Sequence, residues 1–128
     1  AKDAKLPSEI PEFIDWLRSQ LESDENAGFR KLNQPALLTR YFSDMRCALL
    51  NIHKVCKARA QAMIVVGDNR TSVRDKSICI PTSKFVEQIA KSVGFACLEH
   101  IYIDVTTENM LHNKKAITKN IVLRLQKH

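Results

Sequence analysis

Residues 61–95, QAMIVVGDNRTSVRDKSICIPTSKFVEQIAKSVGF, hold the segment on which the architecture of this chain turns. Within them AMIVVGD, residues 62–68, is a short, continuous, β-branched run, the pattern of a strand covered on both faces in a parallel sheet. It runs into a long charged loop with no glycine-rich turn. The helix SKFVEQIAKSVGF follows, with Phe85, Val86, Ile89, Ala90 and Val93 on its inner side. Thr82 or Ser83 is the expected N-cap and Gly94 the expected end.

Toward the carboxyl terminus, ACLEHIYIDV alternates Ile101, Ile103 and Val105 as a strand does, and NIVLRLQKH reads as a closing strand after the loop TTENMLHNKKAITK. On the other side, ALLTRYFSDMRCALLNIHKVCKA spaces Leu38, Phe42, Met45, Leu49, Ile52 and Cys56 by three and four, the strongest helix signal in the chain. IPEFIDWLRSQLES puts Phe13, Leu17 and Leu21 on one helical face beside Ile14, with Pro11 tolerated in the first turn. DENAGFRKLNQP, with Gly28 and Pro35, reads as a connector. The expected organisation is an N-terminal helix and connector over 1–35 and an α/β unit over 36–128. The fold class is α/β: about three strands in a mixed sheet, the last two antiparallel, flanked by helices.

At 128 residues, with 45% apolar and 27% charged residues, the chain has the size and composition of one globular domain. A net charge of +6 favours attraction to polyanions. No apolar run approaches the roughly 20 residues of a membrane-spanning helix. Cys47, Cys56, Cys79 and Cys97 sit among apolar residues without disulfide-framework spacing, which points to a reduced, cytoplasmic chain. The sequence opens on Ala1, as a processed or excised piece would. His53 with Cys56, and Cys97 with His100, have a superficial zinc-ligand spacing. Residues three apart on a regular strand point to opposite faces, so Cys97 and His100 cannot share an ion without a bulge. The expectation is buried structural cysteine and no metal. Trp16 is read as a packing residue.

The order of these pieces resembles the second half of Rossmann-like, S-adenosylmethionine-dependent methyltransferases, especially those acting on exocyclic amines of adenine or cytosine in DNA. The resemblance covers residues 38–127. It lies in a helix ending IHKVCKARA, the strand from Ile64 to Asp68, the helix start from Ile80 to Thr82, and the basic segment LHNKKAITK before the last strand. In place of the family's Pro-Gly-Gly turn stands Ala58-Arg59-Ala60. Two family signatures are absent: the glycine-rich cofactor turn cannot be built from Gly28, Gly67 and Gly94, and no two prolines are adjacent for a Pro-Pro-Tyr catalytic loop.

The resemblance therefore implies a partial Rossmann-like sheet that is inactive alone. A missing N-terminal half or second subunit supplies S-adenosylmethionine binding and catalysis. This chain carries no catalytic residue of its own. By position in the family, Asp68, Asn69 and Arg70 form the rim of the substrate pocket. Asp68 and Asn69 are equally good turn residues. Arg74 and Lys76 in one loop, and His112, Lys114, Lys115 and Lys119 in another, are candidates for phosphate contacts to double-stranded DNA. Two other readings stay open: a non-catalytic basic nucleic-acid-binding module, and an interaction domain that oligomerises through an exposed sheet edge.

Overall fold

The computed structural model describes residues 6–104 and 119–128. Among these residues four helices and five strands follow in the order α1 (Glu9–Glu22), α2 (Phe29–Leu32), α3 (Gln34–Val55), β1 (Gln61–Val66), β2 (Asn69–Val73), β3 (Lys76–Ile80), α4 (Thr82–Val93), β4 (Phe95–Asp104) and β5 (Lys119–Lys127).

The long helices form where the apolar spacing places them. Helix α1 buries Ile10, Ile14, Leu17 and Leu21, four residues spaced for one face. The segment read as a connector contains the single turn α2 and the start of α3, which carries Pro35 in its first turn. Along α3 only Phe42 and Leu49 of the apolar stripe are fully buried, with Leu38 and Met45 packed against the core. Near its end Ile52 and Val55 are exposed, while His53 on another face packs against Phe95.

The charged loop expected after the first strand is instead a β-hairpin. Strands β2 and β3 pair antiparallel from Asn69 opposite Ile80 to Val73 opposite Lys76. The two residues between them, Arg74 and Asp75, both have positive φ, 51° and 66°. That is the backbone of a type I′ turn, whose twist suits a two-residue hairpin. The usual Asn-Gly signal is missing, so nothing in the wording announces it. Tertiary packing compensates: Val73 buries against Leu17 and Leu21 in a second small core, with Ile78 alongside.

The other three strands form one sheet in the order β1-β5-β4. The last two strands are antiparallel, as expected, but the sheet is not mixed, because β1 also pairs antiparallel with β5. Strands β1 and β4 run the same way, joined through α4, with β5 inserted between them. Nor is β1 covered on both faces. Ala62, Ile64 and Val66 turn toward the helices, whereas Met63 and Val65 are 62% and 59% exposed. With Ile101, Ile103 and Val122 they make an apolar strip on the open face of the sheet, crossed by the Arg124–Glu99 ion pair.

The covered face holds the main core. Phe85 of α4 lies between Phe13 of α1 and Phe42 of α3, with ring centroids 5.6 Å from each and edge-to-face tilts. Val86, Ile89 and Ala90 complete the buried side of α4, against Leu123 and Leu125 of β5 and Phe95 of β4. Where the family resemblance has glycines, Arg59 itself takes a left-handed conformation, φ 66°. Gln126 Nε2 donates to the Arg59 carbonyl at 3.0 Å, and Lys127 Nζ donates to the carbonyls of His53 and Cys56 at 2.8 and 2.9 Å. The last strand thus closes the carboxyl end of α3, where a cation is favoured by the helix dipole.

Gly94 ends α4 with φ 115°, and a β-carbon there would lie 2.5 Å from His53 Nε2. Both the backbone and the neighbouring ring exclude a side chain. Gly94→Ala should destabilise the fold by about 2 kcal/mol or more. The urea midpoint should fall with the slope unchanged; an unaltered midpoint would show that the α4–β4 junction tolerates rearrangement.

Candidate functional site

Because β1 and β4 point the same way, their carboxyl ends lie at one edge of the sheet. Val66 pairs with Ile121 and Asp104 with Lys119, so β1 leaves, β4 leaves and β5 enters at the same end. The amino end of α4 is there too, because Asp68 Oδ1 accepts a hydrogen bond of 2.8 Å from the Ser83 backbone N–H. This corrects the expected cap. Pro81 occupies the N-cap position with no capping side chain, and Thr82 and Ser83 are buried within the first turn. Asp68, fifteen residues upstream, supplies the acceptor that the free N–H groups of a helix start require.

The remaining rim and basic candidates have distinct surroundings. Asn69 opens β2 and is exposed. Arg70 is exposed and donates to Ser77 Oγ at 3.1 Å across the hairpin. Arg74 turns back to α1: its backbone N–H donates to Asp24 Oδ2 at 3.0 Å, and its guanidinium to Ser23 Oγ at 2.6 Å and Gln20 Oε1 at 3.3 Å. With Lys31 Nζ on Ser72 Oγ at 2.7 Å and Thr71 on Gln34 Oε1 at 2.8 Å, it latches the hairpin onto the helices. The backbone N–H groups of Arg74 and Asn26 hold the Asp24 carboxyl below its ordinary value of 3.8. Lys76 stands exposed on β3. Lys119 begins β5, while His112, Lys114 and Lys115 lie outside the described residues.

A second constellation was not anticipated. Between Cys97 and Glu99 the register of β4 against β5 slips by one residue: Cys97 is opposite Leu125 and Glu99 opposite Arg124. This bulge puts Cys97 and His100 on the same, helix-covered face, so the expectation that they oppose each other is overturned. There they meet Glu87 of α4, and one ligand-type atom from each of the three lies within 4.8 Å of the others. His100 Nε2 is 2.6 Å from Glu87 Oε1, and Lys91 Nζ is 2.9 Å from Glu87 Oε2. Glu87 was missed because a helix residue and a strand residue meet here by packing alone. Its only sequence signal was an acidic residue beside the inner face of α4.

Electrostatics in the cluster follow from that packing. Burial raises the Glu87 carboxyl, yet the hydrogen bonds from Lys91 and His100 outweigh it and hold the group below its ordinary value of 4.5. Glu87 in turn raises the Lys91 ammonium. Burial, then the neighbouring carboxylate, pushes the Cys97 thiol up, so at neutral pH it is a thiol and a poor nucleophile. A groove of about 220 Å³ opens beside Glu87 and His100, edged by Ser83, Lys84 and Tyr102. The other cysteines do not match the buried, structural expectation throughout: Cys47 and Cys79 are exposed, and only Cys56 and Cys97 are half-buried. His53 packs its ring edge-on to Phe95 instead of joining Cys97 and His100.

No family model matches the chain, and no curated protein does. Among solved structures it is similar to a candidate DNA modification methylase from Thermus thermophilus, complexed with S-adenosyl-L-methionine. The TM-score is 0.58 at 15% identity, over 87% of this chain and 50% of the other. The likeness shows a methyltransferase-like α/β fold, and the chain spans half the length of that protein. Among the described residues no helix is long and apolar enough to cross a membrane.

Asp68→Ala should cost about 1 kcal/mol in denaturant unfolding, the usual loss of a helix cap, with Asp68→Asn recovering most of it. If both variants matched the parent, the capping role would be wrong. The acid response follows from the depressed carboxyls. Asp24 and Glu87 bind protons more weakly folded than unfolded, so their stabilisation is complete above 3.8 and 4.5 and is lost as pH falls through the lower folded-state values. Asp24→Asn and Glu87→Gln should each flatten the dependence of the unfolding midpoint on pH over about pH 5 to 2; an unchanged slope would contradict the assignment.

Proposed function

We propose that this chain is the carboxyl-terminal, DNA-facing part of a methyltransferase that transfers a methyl group from S-adenosylmethionine to an exocyclic amine of adenine or cytosine. A complementary amino-terminal half or second subunit supplies the cofactor site and the catalytic loop. In this reading the segment 1–35 is an appended unit whose helix α1 braces the α/β part. The observation that supports it is the likeness to half of a candidate DNA modification methylase complexed with S-adenosyl-L-methionine, joined to a sheet whose surfaces call for a complement. Among the described residues β1 has an unpaired edge, and the strip of Met63, Val65, Ile101 and Ile103 on the open face is uncovered. Edges and apolar patches of this kind are ordinarily covered. A homodimer through that edge is the second way to cover it.

The residues present do not fit S-adenosylmethionine as a resident cofactor. A glycine-rich cradle lets backbone approach the ligand, but Gly94 is closed by His53, and Gly28 stands at a loop with nothing within 4 Å. No step of the reaction is therefore assigned to this chain. Its contribution would be positional. The carboxyl ends of β1 and β4 share an edge, the place where open α/β sheets take their ligands. Asn69, Arg70 and Lys76 stand exposed on the hairpin that follows β1, and Lys119 enters β5 from that edge. Asp68 would hold the rim together through α4 without touching DNA.

Duplex DNA binding measured against salt tests this. The chain should bind without sequence preference and with a steep slope. Replacing Lys114, Lys115 and Lys119 together by Ala should reduce that slope by up to about 3, at roughly 0.9 per lost phosphate contact. Absence of duplex binding, or a slope indifferent to these lysines, would remove DNA from the proposal. Calorimetric binding of S-adenosylmethionine by this chain alone would overturn the division between the two halves.

A further inference from the structure

The Glu87, Cys97 and His100 cluster contains none of the rim residues, although the groove beside it reaches Ser83, and its chemistry is that of a soft-to-borderline metal site. Three donor types converge: a carboxylate oxygen, a sulfur and an imidazole nitrogen. They come from two elements, α4 and β4, and only the bulge at Leu98 aligns the two from the strand. Zinc-class ions take sulfur, nitrogen and carboxylate ligands tetrahedrally, at about 2.0 to 2.3 Å, which sets neighbouring donors roughly 3.3 to 3.8 Å apart. The donors here lie within 4.8 Å of one another, with Glu87 and His100 drawn to 2.6 Å by a hydrogen bond. Coordination therefore asks the widest pair to close by at most about 1.5 Å and Glu87 and His100 to part by about 0.7 to 1.2 Å, displacements on the scale of side-chain rotation.

We propose that Glu87 Oε1, Cys97 Sγ and His100 Nε2 bind one divalent ion of the zinc class, stapling α4 to β4 with a fourth position open to the adjoining groove. The ion takes the place of the hydrogen bond between His100 and Glu87. Binding releases the Cys97 proton to solvent; the His100 Nε2 proton leaves for solvent if the ring starts as an imidazolium, or is replaced by one on Nδ1 if it starts neutral, so that a thiolate and a neutral ring are the ligands. The opposing force is visible. Lys91 holds Glu87 Oε2 at 2.9 Å, so its ammonium would stand close to the incoming ion and weaken its binding. Lys84, nearer the amino end of α4, pairs with Glu9 at 3.0 Å and leaves the cluster to Lys91.

Cobalt(II) titration of the full chain under reducing conditions tests the site. One equivalent should produce a sulfur-to-cobalt charge-transfer band, which one equivalent of zinc abolishes. Cys97→Ser should lose the band. Glu87→Gln and His100→Gln should weaken binding at least about tenfold, by analogy with the loss of lesser metal-site contacts. Lys91→Met should strengthen binding, severalfold to about tenfold, by removing a like charge while keeping the side-chain stem. That gain keeps the test informative if a ligand variant fails to fold, which circular dichroism reports. No charge-transfer band at stoichiometric cobalt, a band that survives Cys97→Ser, or affinity unchanged or lowered in Lys91→Met, would each overturn the proposal.

Discussion

The fold depends on one buried contact surface, the apolar side of α4 pressed between the sheet and the other helices. Phe85 is its centre, meeting Phe13 and Phe42 edge-to-face while Val86, Ile89 and Ala90 cover Leu123 and Leu125. Burying side chains of this size contributes roughly 1.5 to 3 kcal/mol each. Helix α4 also fixes the direction of the two strands it joins. With β1 and β4 held parallel, the antiparallel β5 fits between them, and the carboxyl ends that form the rim come to one edge.

That arrangement makes the molecule one-sided. One face of the sheet is packed by helices, and the other carries Met63, Val65, Ile101 and Ile103 into solvent. Helices α1 and α3 both serve the packed face, so no described element is left to cover the open one. The hairpin β2-β3 is likewise committed to α1 and α2 through Val73, Arg74 and Lys31. The methyltransferase-like structure that the chain is similar to is twice as long as the part matched.

Small backbone irregularities decide the chemistry. A single extra residue at Leu98 moves His100 from the open face to the face of Cys97 and Glu87, because side chains alternate with a period of two. Positive φ at Arg74 and Asp75 turns a charged loop into a hairpin, and positive φ at Arg59 supplies the turn where glycine would be expected. At Arg74 and Arg59 a residue with an ordinary side chain accepts an unfavourable backbone state where neighbouring contacts hold it. Arg74 is fastened by Asp24, Ser23 and Gln20, and the Arg59 carbonyl by Gln126.

Helices α1, α3 and α4, the three strands of the main sheet and the Gly94 stop are all legible in the bare chain, because periodicity and β-branched runs are local properties. So is the order of these pieces, on which the methyltransferase resemblance rests. What lies between them emerges only on folding. A hairpin turned by Arg-Asp has no local signature, and Asp68 capping α4 spans fifteen residues. The exposure of Met63 and Val65 depends on which faces the helices choose, and the meeting of Glu87 with Cys97 and His100 depends on a register slip. These are long-range pairings, and a chain's local wording does not encode which distant residue will satisfy a donor, cover a face or close a turn.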